Sequence, residues 1–254
     1  MVLVIIIFIV KNFAMPKKRS ALAGLVKQGN LSAAIRLGKQ ITAKDPRDAE
    51  AHYFLGQSYL GEEKPELALM EFKKVNEIGA FDGFCTEADF RNQLARLFIQ
   101  FNHQEEALKE QLLLIKLEPN VAEHYFHVGF LFEGRDNTEK ATDFYRKAIE
   151  IDPKHSEAHC KLGQILYRGK HPVEAKLELE AAIQNNPENY KVFYYLGRIL
   201  KENHDYVGAL LAFEKAQRDP NLKVKTLVER GSCYMSLNAL DKAVNELERA
   251  IRLF

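Results

Sequence analysis

The sequence predicts an all-α protein built as a solenoid of antiparallel helix pairs. Three columns of small or helix-breaking residues recur every 34 positions, and apolar residues follow helical periodicity twice within each interval. Repetition at a period of roughly 20–50 residues is typical of arrays in which each unit is one supersecondary element. Two helical stripes per interval favour a helical array over a β one.

The three columns differ in extent. The glycine and proline columns keep an interval of 34, whereas the longer alanine column contains one interval of 39. The members are Gly129, Gly163, Gly197 and Gly231; Pro119, Pro153 and Pro187; and Ala34, Ala68, Ala107, Ala141, Ala175, Ala209 and Ala243. We expect the small residues to mark close helix crossings. We expect the prolines to end second helices, because proline lacks an amide donor and restricts the preceding residue.

The unit at 122–155 illustrates both helices. Its two apolar stripes at helical spacing are Tyr125, Val128, Gly129 and Phe132, and then Ala141, Phe144, Tyr145, Ala148 and Ile149. Between them, Asn137 or Thr138 is available to cap the second helix. Pro65 and Pro172 stand near the start of a second helix, where a missing amide costs nothing.

This array resembles the tetratricopeptide repeat family, whose unit is a helix–turn–helix of 34 residues. Residues that match the family pattern are Tyr125, Gly129, Phe132, Ala141, Tyr145, Ala148 and Pro153, and again Phe193, Leu196, Gly197, Ala209, Phe213 and Ala216. The resemblance implies a right-handed superhelical solenoid of about seven repeats. The predicted repeats are 49–87, 88–121, 122–155, 156–189, 190–223 and 224–254, preceded by a degenerate one at 15–48 that has no Leu-Gly in its first helix.

A cluster of potential metal ligands falls at one repeat boundary. His155, His159 and Cys160 lie within six positions, but His155 falls in the linker after Pro153, and no third ligand accompanies the other two at workable spacing. His159 occupies a packing column that aromatic residues fill in other repeats. His124 and His127, three positions apart, are interpreted in the same way. We therefore predict no metal site.

The resemblance implies a concave groove lined by the first helix of each repeat, which the family uses to bind peptides or partner helices. The candidate groove residues are Asn92, Gln93, Arg96, Phe126, His127, Phe130, Lys161, Gln164, Tyr167, Arg168, Tyr194, Tyr195, Arg198 and Lys201. Aromatic side chains interleaved with basic ones predict a protein or peptide partner with acidic and apolar residues. The alternative is that many of these side chains only stack on the neighbouring repeat.

Composition and motifs limit the function classes. The formal net charge is +1, which argues against nucleic acid as a partner. GxSxG, HExxH and a phosphate-binding glycine-rich loop are all missing, so we predict neither enzyme activity nor a cofactor. Some family members bind a carboxy-terminal carboxylate between Lys and Asn residues of successive repeats. Asn92 and Arg96 are present here but the full set is missing, which argues against this kind of site. Cys85, Cys160 and Cys233 do not form a disulfide framework.

Two irregularities invite a functional interpretation. Five extra residues fall in the segment 79–88, where Phe81 and Phe84 could form a contact knob or tuck under the adjoining helix. The last helix, within 241–254, carries apolar residues such as Val244, and repeat arrays normally need a polar terminal cap. We expect either a longer polypeptide, or a partner or second copy that self-associates through this helix.

The amino terminus, MVLVIIIFIV followed by Lys11, predicts a membrane anchor in residues 1–14. A spanning helix needs about 20 apolar residues, so two alternatives stay open: an anchor with a misplaced start, or an upstream sequence before a start at Met15. Positive charge after the segment favours repeats that face the cytoplasm; the alternative is a soluble cytoplasmic protein.

Taken together, these observations predict a scaffold or adaptor protein. Two alternatives stay open: a regulatory or assembly domain of a longer polypeptide, and an envelope-exposed protein.

Overall fold

A computed structural model describes residues 15–253. Within that range the chain forms fourteen α-helices, one short 3-10 turn and no strand. The predicted fold class, an all-α array of helix pairs, is confirmed. Residues 1–14, and with them the prediction of a membrane anchor, lie outside the described residues. The chain divides into a first compact unit that ends at Pro119 and a second that begins at Asn120.

Unit 1 contains three helix pairs. They are α1 (Met15–Lys27) with α2 (Leu31–Thr42), α3 (Ala49–Gly61) with α4 (Pro65–Ile78), and α5 (Glu87–Gln100) with α6 (Gln104–Leu117). Each pair packs through an apolar interface, and the second helix of one pair also contacts the first helix of the next. Phe72 and Phe90 are fully buried between these layers.

Unit 2 contains four helix pairs. They are α7 (Ala122–Glu133) with α8 (Thr138–Ile151), α9 (Ser156–Arg168) with α10 (Pro172–Asn185), α11 (Tyr190–Glu202) with α12 (Tyr206–Ala216), and α13 (Lys223–Ser236) with α14 (Leu240–Ile251). The 3-10 turn Pro220–Leu222 precedes α13. As in unit 1, each second helix packs on the first helix of the following pair.

Glycine in the first helix lets the second helix of the same pair approach closely. A Cβ on Gly129 would lie 2.8 Å from the Tyr145 ring and 3.2 Å from the Ala141 carbonyl oxygen. A Cβ on Gly163 would lie 2.8 Å from Leu179. Real Cβ atoms essentially never show contacts of 2.8 Å, so the glycine column marks the helix crossing, as its spacing predicts.

Proline sets helix ends and helix starts in the places that its spacing predicts. The helices α6, α8 and α10 each end two residues before a member of the proline column. Pro65 and Pro172 are the first residues of α4 and α10. Asn137, rather than Thr138, caps α8, since its side-chain oxygen accepts the Lys140 amide at 3.1 Å.

A further column appears only in the backbone. One residue in the turn within each pair has a positive φ: Gly29, Glu63, Asn102, Asp136, Lys170, His204 and Asn238. The non-glycine members have φ between 56° and 63°, a left-handed conformation that costs most residues energy and that Asn and Asp tolerate best. This turn reverses the chain within every pair.

The five-residue insertion forms a packed loop between α4 and α5. Gly79 ends α4 in the left-handed conformation. The Phe81 ring packs 5.1 Å from the Phe90 ring, and the Phe84 ring packs 5.1 Å from the Tyr53 ring. Of the two interpretations of this loop, tucking of its aromatic rings is therefore the one observed.

Candidate partner-binding face

Most candidate groove residues of unit 2 form a continuous surface across α7, α9 and α11. We call it the first-helix face and define it by Phe126, His127, Phe130, Lys161, Tyr167, Arg168, Tyr194, Tyr195, Arg198 and Lys201. Cation–π contacts join neighbouring helices within it. Lys161 Nζ lies 5.1 Å from the centre of the Phe130 ring. The Arg198 guanidinium lies 5.2 Å from the centre of the Tyr167 ring.

Glu133, at the end of α7, holds two of the basic side chains. Lys161 Nζ donates to its Oε2 at 2.8 Å, and Arg168 Nη2 donates to its Oε1 at 2.8 Å. The Tyr145 hydroxyl, which comes from α8, also donates to Oε2 at 2.9 Å. Burial opposes ionisation of Glu133, but these hydrogen bonds outweigh it and lower its pKa.

Glu229 on α13 holds the other two basic side chains. Lys201 Nζ donates to its Oε2 at 2.8 Å, and Arg198 Nε lies 3.7 Å from its Oε1. The Tyr167 hydroxyl donates to Glu202. Burial and this hydrogen bond raise the pKa of Tyr167. The prediction from sequence missed all three carboxylates, which offset part of the positive charge.

The two arginines remain the accessible cations of the face. The Arg168 side chain is 57% exposed and the Arg198 side chain is 39% exposed, against 20% for Lys161. A basic group held by one partner at its inner side still presents its outer donors to solvent. The face therefore combines exposed guanidinium groups with the partly exposed rings of Phe130 and Tyr167.

Gln164 is not part of this surface. Its side chain is buried, with the residue 3% exposed, and its Nε2 donates to Cys160 Sγ at 2.9 Å. The prediction that Gln164 faces a partner is thus corrected: Cys160 is small at a position where Phe126 and Tyr194 stand one repeat away, and the amide closes over it.

Three other candidate residues are only partly exposed, because they also pack against or pair with neighbouring side chains. Phe126 packs 5.0 Å from the His155 ring and 5.7 Å from the Tyr145 ring. Tyr195 packs against the core of unit 2. His127 Nε2 lies 3.1 Å from a Glu123 carboxylate oxygen. Packing therefore occupies a large part of the Phe126 and Tyr195 side chains, as the stacking alternative expects, whereas His127 pairs within its own helix.

The candidates of unit 1 surround the inserted loop. Asn92, Gln93 and Arg96 line a cavity of about 360 Å³ whose wall also includes Tyr53 and Phe84. Gln93 accepts a hydrogen bond from the amide of Gln57 and donates to the Tyr53 hydroxyl at 3.4 Å. The Phe84 ring thus fills space beside the three predicted polar residues.

The histidines at the repeat boundary serve structural roles. His155 Nδ1 accepts the Ala158 amide at 3.3 Å and so caps α9. His159 Nδ1 lies 2.7 Å from Glu178 Oε2, and its Nε2 lies 3.1 Å from the Pro153 carbonyl oxygen. Within residues 15–253, no group of three His, Cys, Asp or Glu side chains is arranged to hold a metal ion.

His52 in unit 1 repeats the surroundings of His159. Its Nδ1 lies 2.6 Å from Glu71 Oε2, and its Nε2 lies 3.1 Å from the Pro46 carbonyl oxygen. The hydrogen bond to the carboxylate is the main cause that raises the pKa of each of the two histidines.

Among the described helices, none has the length and apolar character needed to cross a membrane.

Comparisons with known proteins identify the repeat. Sequence models of the tetratricopeptide repeat match residues 24–80, 122–155, 144–176 and 224–254, which together make up more than half of the chain. Anaphase-promoting complex subunit 3 of Schizosaccharomyces pombe is 26% identical over 156 residues, which are 61% of this chain and 24% of that protein. The chain spans no more than 52% of the length of the curated relatives it matches.

Solved structures show the same fold. YrrB, a TPR protein, aligns with a TM-score of 0.61 at 20% identity, over 69% of this chain and 88% of that one. The C-terminal part of a TPR repeat-containing protein from Cytophaga hutchinsonii aligns with a TM-score of 0.67 at 15% identity, over 92% of this chain and 93% of that one. With its repeated helix pairs and these matches, the chain belongs to the tetratricopeptide repeat family.

Proposed function

We propose that this protein is a non-enzymatic scaffold or adaptor whose first-helix face binds a segment of a protein partner. Tetratricopeptide repeat proteins generally mediate protein–protein interactions, and YrrB is described as having an unusual peptide-binding site. The observation that carries the proposal is the pair of cation–π contacts, Lys161 on Phe130 and Arg198 on Tyr167. They place aromatic and basic groups side by side on neighbouring first helices.

The chemistry of the face favours a partner segment with apolar and acidic residues. Rings and arginines supply apolar contact and charge-assisted hydrogen bonds in one place, which is typical of the strongest contributors to interfaces. Glu133, Glu202 and Glu229 reduce the net positive charge. We therefore propose one or two acidic residues among apolar ones rather than a long acidic run.

A pull-down with the full chain tests this proposal. Arg168→Ala with Arg198→Ala removes the two accessible cations from the rim of the face and leaves Lys161 and Lys201 on their carboxylates. Val173→Ala with Leu177→Ala is the matched control, because these side chains on α10 are 75% and 63% exposed and lie outside the face. We expect a partner that the parent and the control retain and the arginine variant loses.

Folding of both variants is checked by circular dichroism before the comparison. A partner retained equally by the arginine variant and lost by the α10 control would refute the assignment of the binding face. A partner captured by the parent is then cut into overlapping peptides, and fluorescence anisotropy measures whether acidic and apolar segments bind more tightly than their neutral variants.

We also propose attachment to a membrane through residues 1–14, with the repeats on the cytoplasmic side. The support is the run of ten apolar residues followed by Lys11. Deletion of residues 1–14 should move the protein from the membrane fraction to the supernatant of a cell lysate. An unchanged distribution between the fractions would contradict attachment by this segment.

Assembly through the last helix is a second candidate function. On α14, Leu240, Val244 and Ile251 are 60%, 55% and 72% exposed. In the other pairs of unit 2, the second helix packs against the first helix of the next pair. We propose that a second copy or another chain covers this face, as suits an assembly domain. Sedimentation equilibrium of the parent and of Val244→Glu tests it, and a monomeric parent that captures no protein through α14 would contradict it.

A further inference from the structure

The turn between α9 and α10 borders a cavity of about 540 Å³. Its walls are Tyr167, Arg168, Lys170, Pro172, Arg198 and Glu202. Three cations therefore face one space, together with one carboxylate that accepts the Tyr167 hydroxyl. The cavity lies at one end of the first-helix face and shares Tyr167, Arg168 and Arg198 with it.

Lys170 has the freest charge in this cavity. It is exposed and, among residues 15–253, no carboxylate forms an ion pair with it. Arg168 gives one donor to Glu133. The Arg198 guanidinium lies on the Tyr167 ring, and its Nε is 3.7 Å from Glu229. The two arginines thus have donors left, and the lysine has all three of its own.

The cationic cluster occurs at one step of the repeat array in unit 2. One repeat earlier, the residues that correspond to Arg168, Lys170 and Arg198 are Gly134, Asp136 and Gln164; one repeat later they are Glu202, His204 and Ser232. Neither set carries a basic side chain other than a histidine. The repeat columns that build the fold therefore do not account for the three cations.

We infer that this cavity binds the phosphoryl group of a phosphorylated side chain in a protein segment, an inference that rests on the proposed function of the first-helix face. The cavity wall and the ion pairs that reach it hold five cations against three carboxylates, which leaves an excess of two positive charges; the cations are Arg168, Lys170, Arg198, Lys161 and Lys201, and the carboxylates are Glu133, Glu202 and Glu229. A phosphoryl monoester carries about −1.5 to −2 charges at neutral pH and three acceptor oxygens, whereas a carboxylate carries one charge. Guanidinium groups match phosphate oxygens with paired donors, and Tyr167 and Pro172 supply an apolar wall for the stem.

A small aryl phosphate tests the cavity without any knowledge of the partner. The full chain is titrated with phenyl phosphate and, separately, with benzoate, which has the same ring but a single negative charge. Two-dimensional NMR follows the backbone amides. We expect saturable shifts at 167–171 and 198–202 with phenyl phosphate, and at least a threefold weaker affinity for benzoate.

Lys170→Asn is the informative variant, because asparagine tolerates the positive φ of this turn while the charge is removed. Loss of one partly exposed charge contact should weaken phenyl phosphate binding by about two- to fivefold. His204→Asn is the matched control: it alters the same turn position one repeat later, where φ is also 63°, and it lies outside the cavity. The control should bind phenyl phosphate as the parent does.

Equal affinity for benzoate and phenyl phosphate, shifts confined to other residues, or unchanged binding by Lys170→Asn would each overturn the inference. A second arm compares a peptide library that carries one phosphoserine among apolar residues with its unphosphorylated form and with phosphatidic acid vesicles. Preference for the vesicles would assign the cavity to lipid and overturn the inference as well. Absence of phosphate binding while the arginine variant still loses its partner would leave the proposed function intact.

Discussion

Glu133 and Lys161, 28 residues apart in the chain, are joined by a 2.8 Å ion pair between neighbouring first helices. Lys201 and Glu229 form an ion pair of the same length at the same separation, with the acid and the base exchanged. A separation of 28 is one repeat less six residues. In unit 2, ion pairs thus join α7 with α9 and α11 with α13.

The first prediction concerns Glu133, whose carboxylate accepts three hydrogen bonds. Glu133→Gln should lower the free energy of unfolding by about 1–2 kcal/mol, because Lys161 and Arg168 lose a charged acceptor in a largely buried place. Urea denaturation measures the effect. Lys147→Gln breaks an exposed pair with Glu150 and should change stability by less than about 0.5 kcal/mol; equal effects of the two substitutions would contradict the argument.

The pH dependence of this contact has a definite sign. Because the folded-state pKa of Glu133 is lowered, its contribution is present above the unfolded pKa and is lost as the pH falls through the folded one. The difference in stability between the parent and Glu133→Gln should therefore shrink on acidification. Denaturation at a series of pH values below 5 tests this.

A second prediction compares two glycines. Gly129→Ala should destabilise by about 1–3 kcal/mol, because its Cβ would lie 2.8 Å from the Tyr145 ring, so that the ring or one of the two helices has to move. Gly24→Ala in α1 should instead stabilise by about 0.5–1 kcal/mol, because nothing lies within 4 Å of its Cβ and alanine favours the helix. Thermal unfolding followed by circular dichroism distinguishes the two, and a shift of the same sign for both would be evidence against close crossing at Gly129.

A third prediction uses His159. Both ring nitrogens face acceptors, Glu178 and the Pro153 carbonyl, so the doubly protonated ring satisfies both while a neutral ring satisfies one. Since the folded-state pKa is raised, the stabilisation is fully present below the unfolded pKa of about 6.5 and is lost as the pH rises through the folded value.

Unfolding by urea between pH 6 and pH 9 measures this contribution. The parent should lose stability with rising pH more steeply than His159→Gln does. His52→Gln, in the equivalent surroundings of unit 1, should act in the same direction, and exposed His204→Asn serves as the control. Parallel pH profiles for the parent and His159→Gln would show that the ring does not act as a cation in the folded protein.

A fourth prediction concerns Cys85 in the inserted loop. Burial raises the pKa of its thiol to about 11, so reaction with a disulfide reagent at pH 8 should be slow. Phe84→Ala removes the ring that packs on Tyr53 and should speed the reaction several-fold. Cys160 and Cys233 are buried and act as internal controls; faster reaction of these two thiols would indicate general unfolding instead of loop release.

The repeat columns predict the fold because each reports a local requirement: a close crossing, a helix end, a first helical position. Asn137 was one of two residues proposed to cap α8, and the hydrogen bond selects it. The repeat pattern did not identify Glu133 and Glu229 as members of the candidate site because their partners lie on another first helix. The pattern within one helix does not predict which residues of the next first helix will lie beside it. A spacing of 28 between residues of opposite charge would have been the signal.

Gln164 shows the converse limit. Its position in the repeat is the one that Phe130 and Arg198 occupy on the neighbouring first helices, so the repeat spacing predicts an exposed side chain. The structure buries it instead. The small Cys160 side chain leaves room beside it, and the amide turns inward to fill that room. Burial at this position depends on the volume of a neighbour rather than on the repeat pattern.

The left-handed turn residues have a consequence for where the chain accepts extra length. Every turn within a pair reverses the chain through one such residue, and where a glycine marks the crossing, as Gly129 does between α7 and α8, the close approach leaves no room for a longer turn. The five additional residues lie instead between α4 and α5, outside any pair. A fluorescent tag or a guest domain inserted at Asp82–Gly83 should therefore leave both flanking pairs intact, whereas the same insertion beside Asp136 should separate α7 from α8.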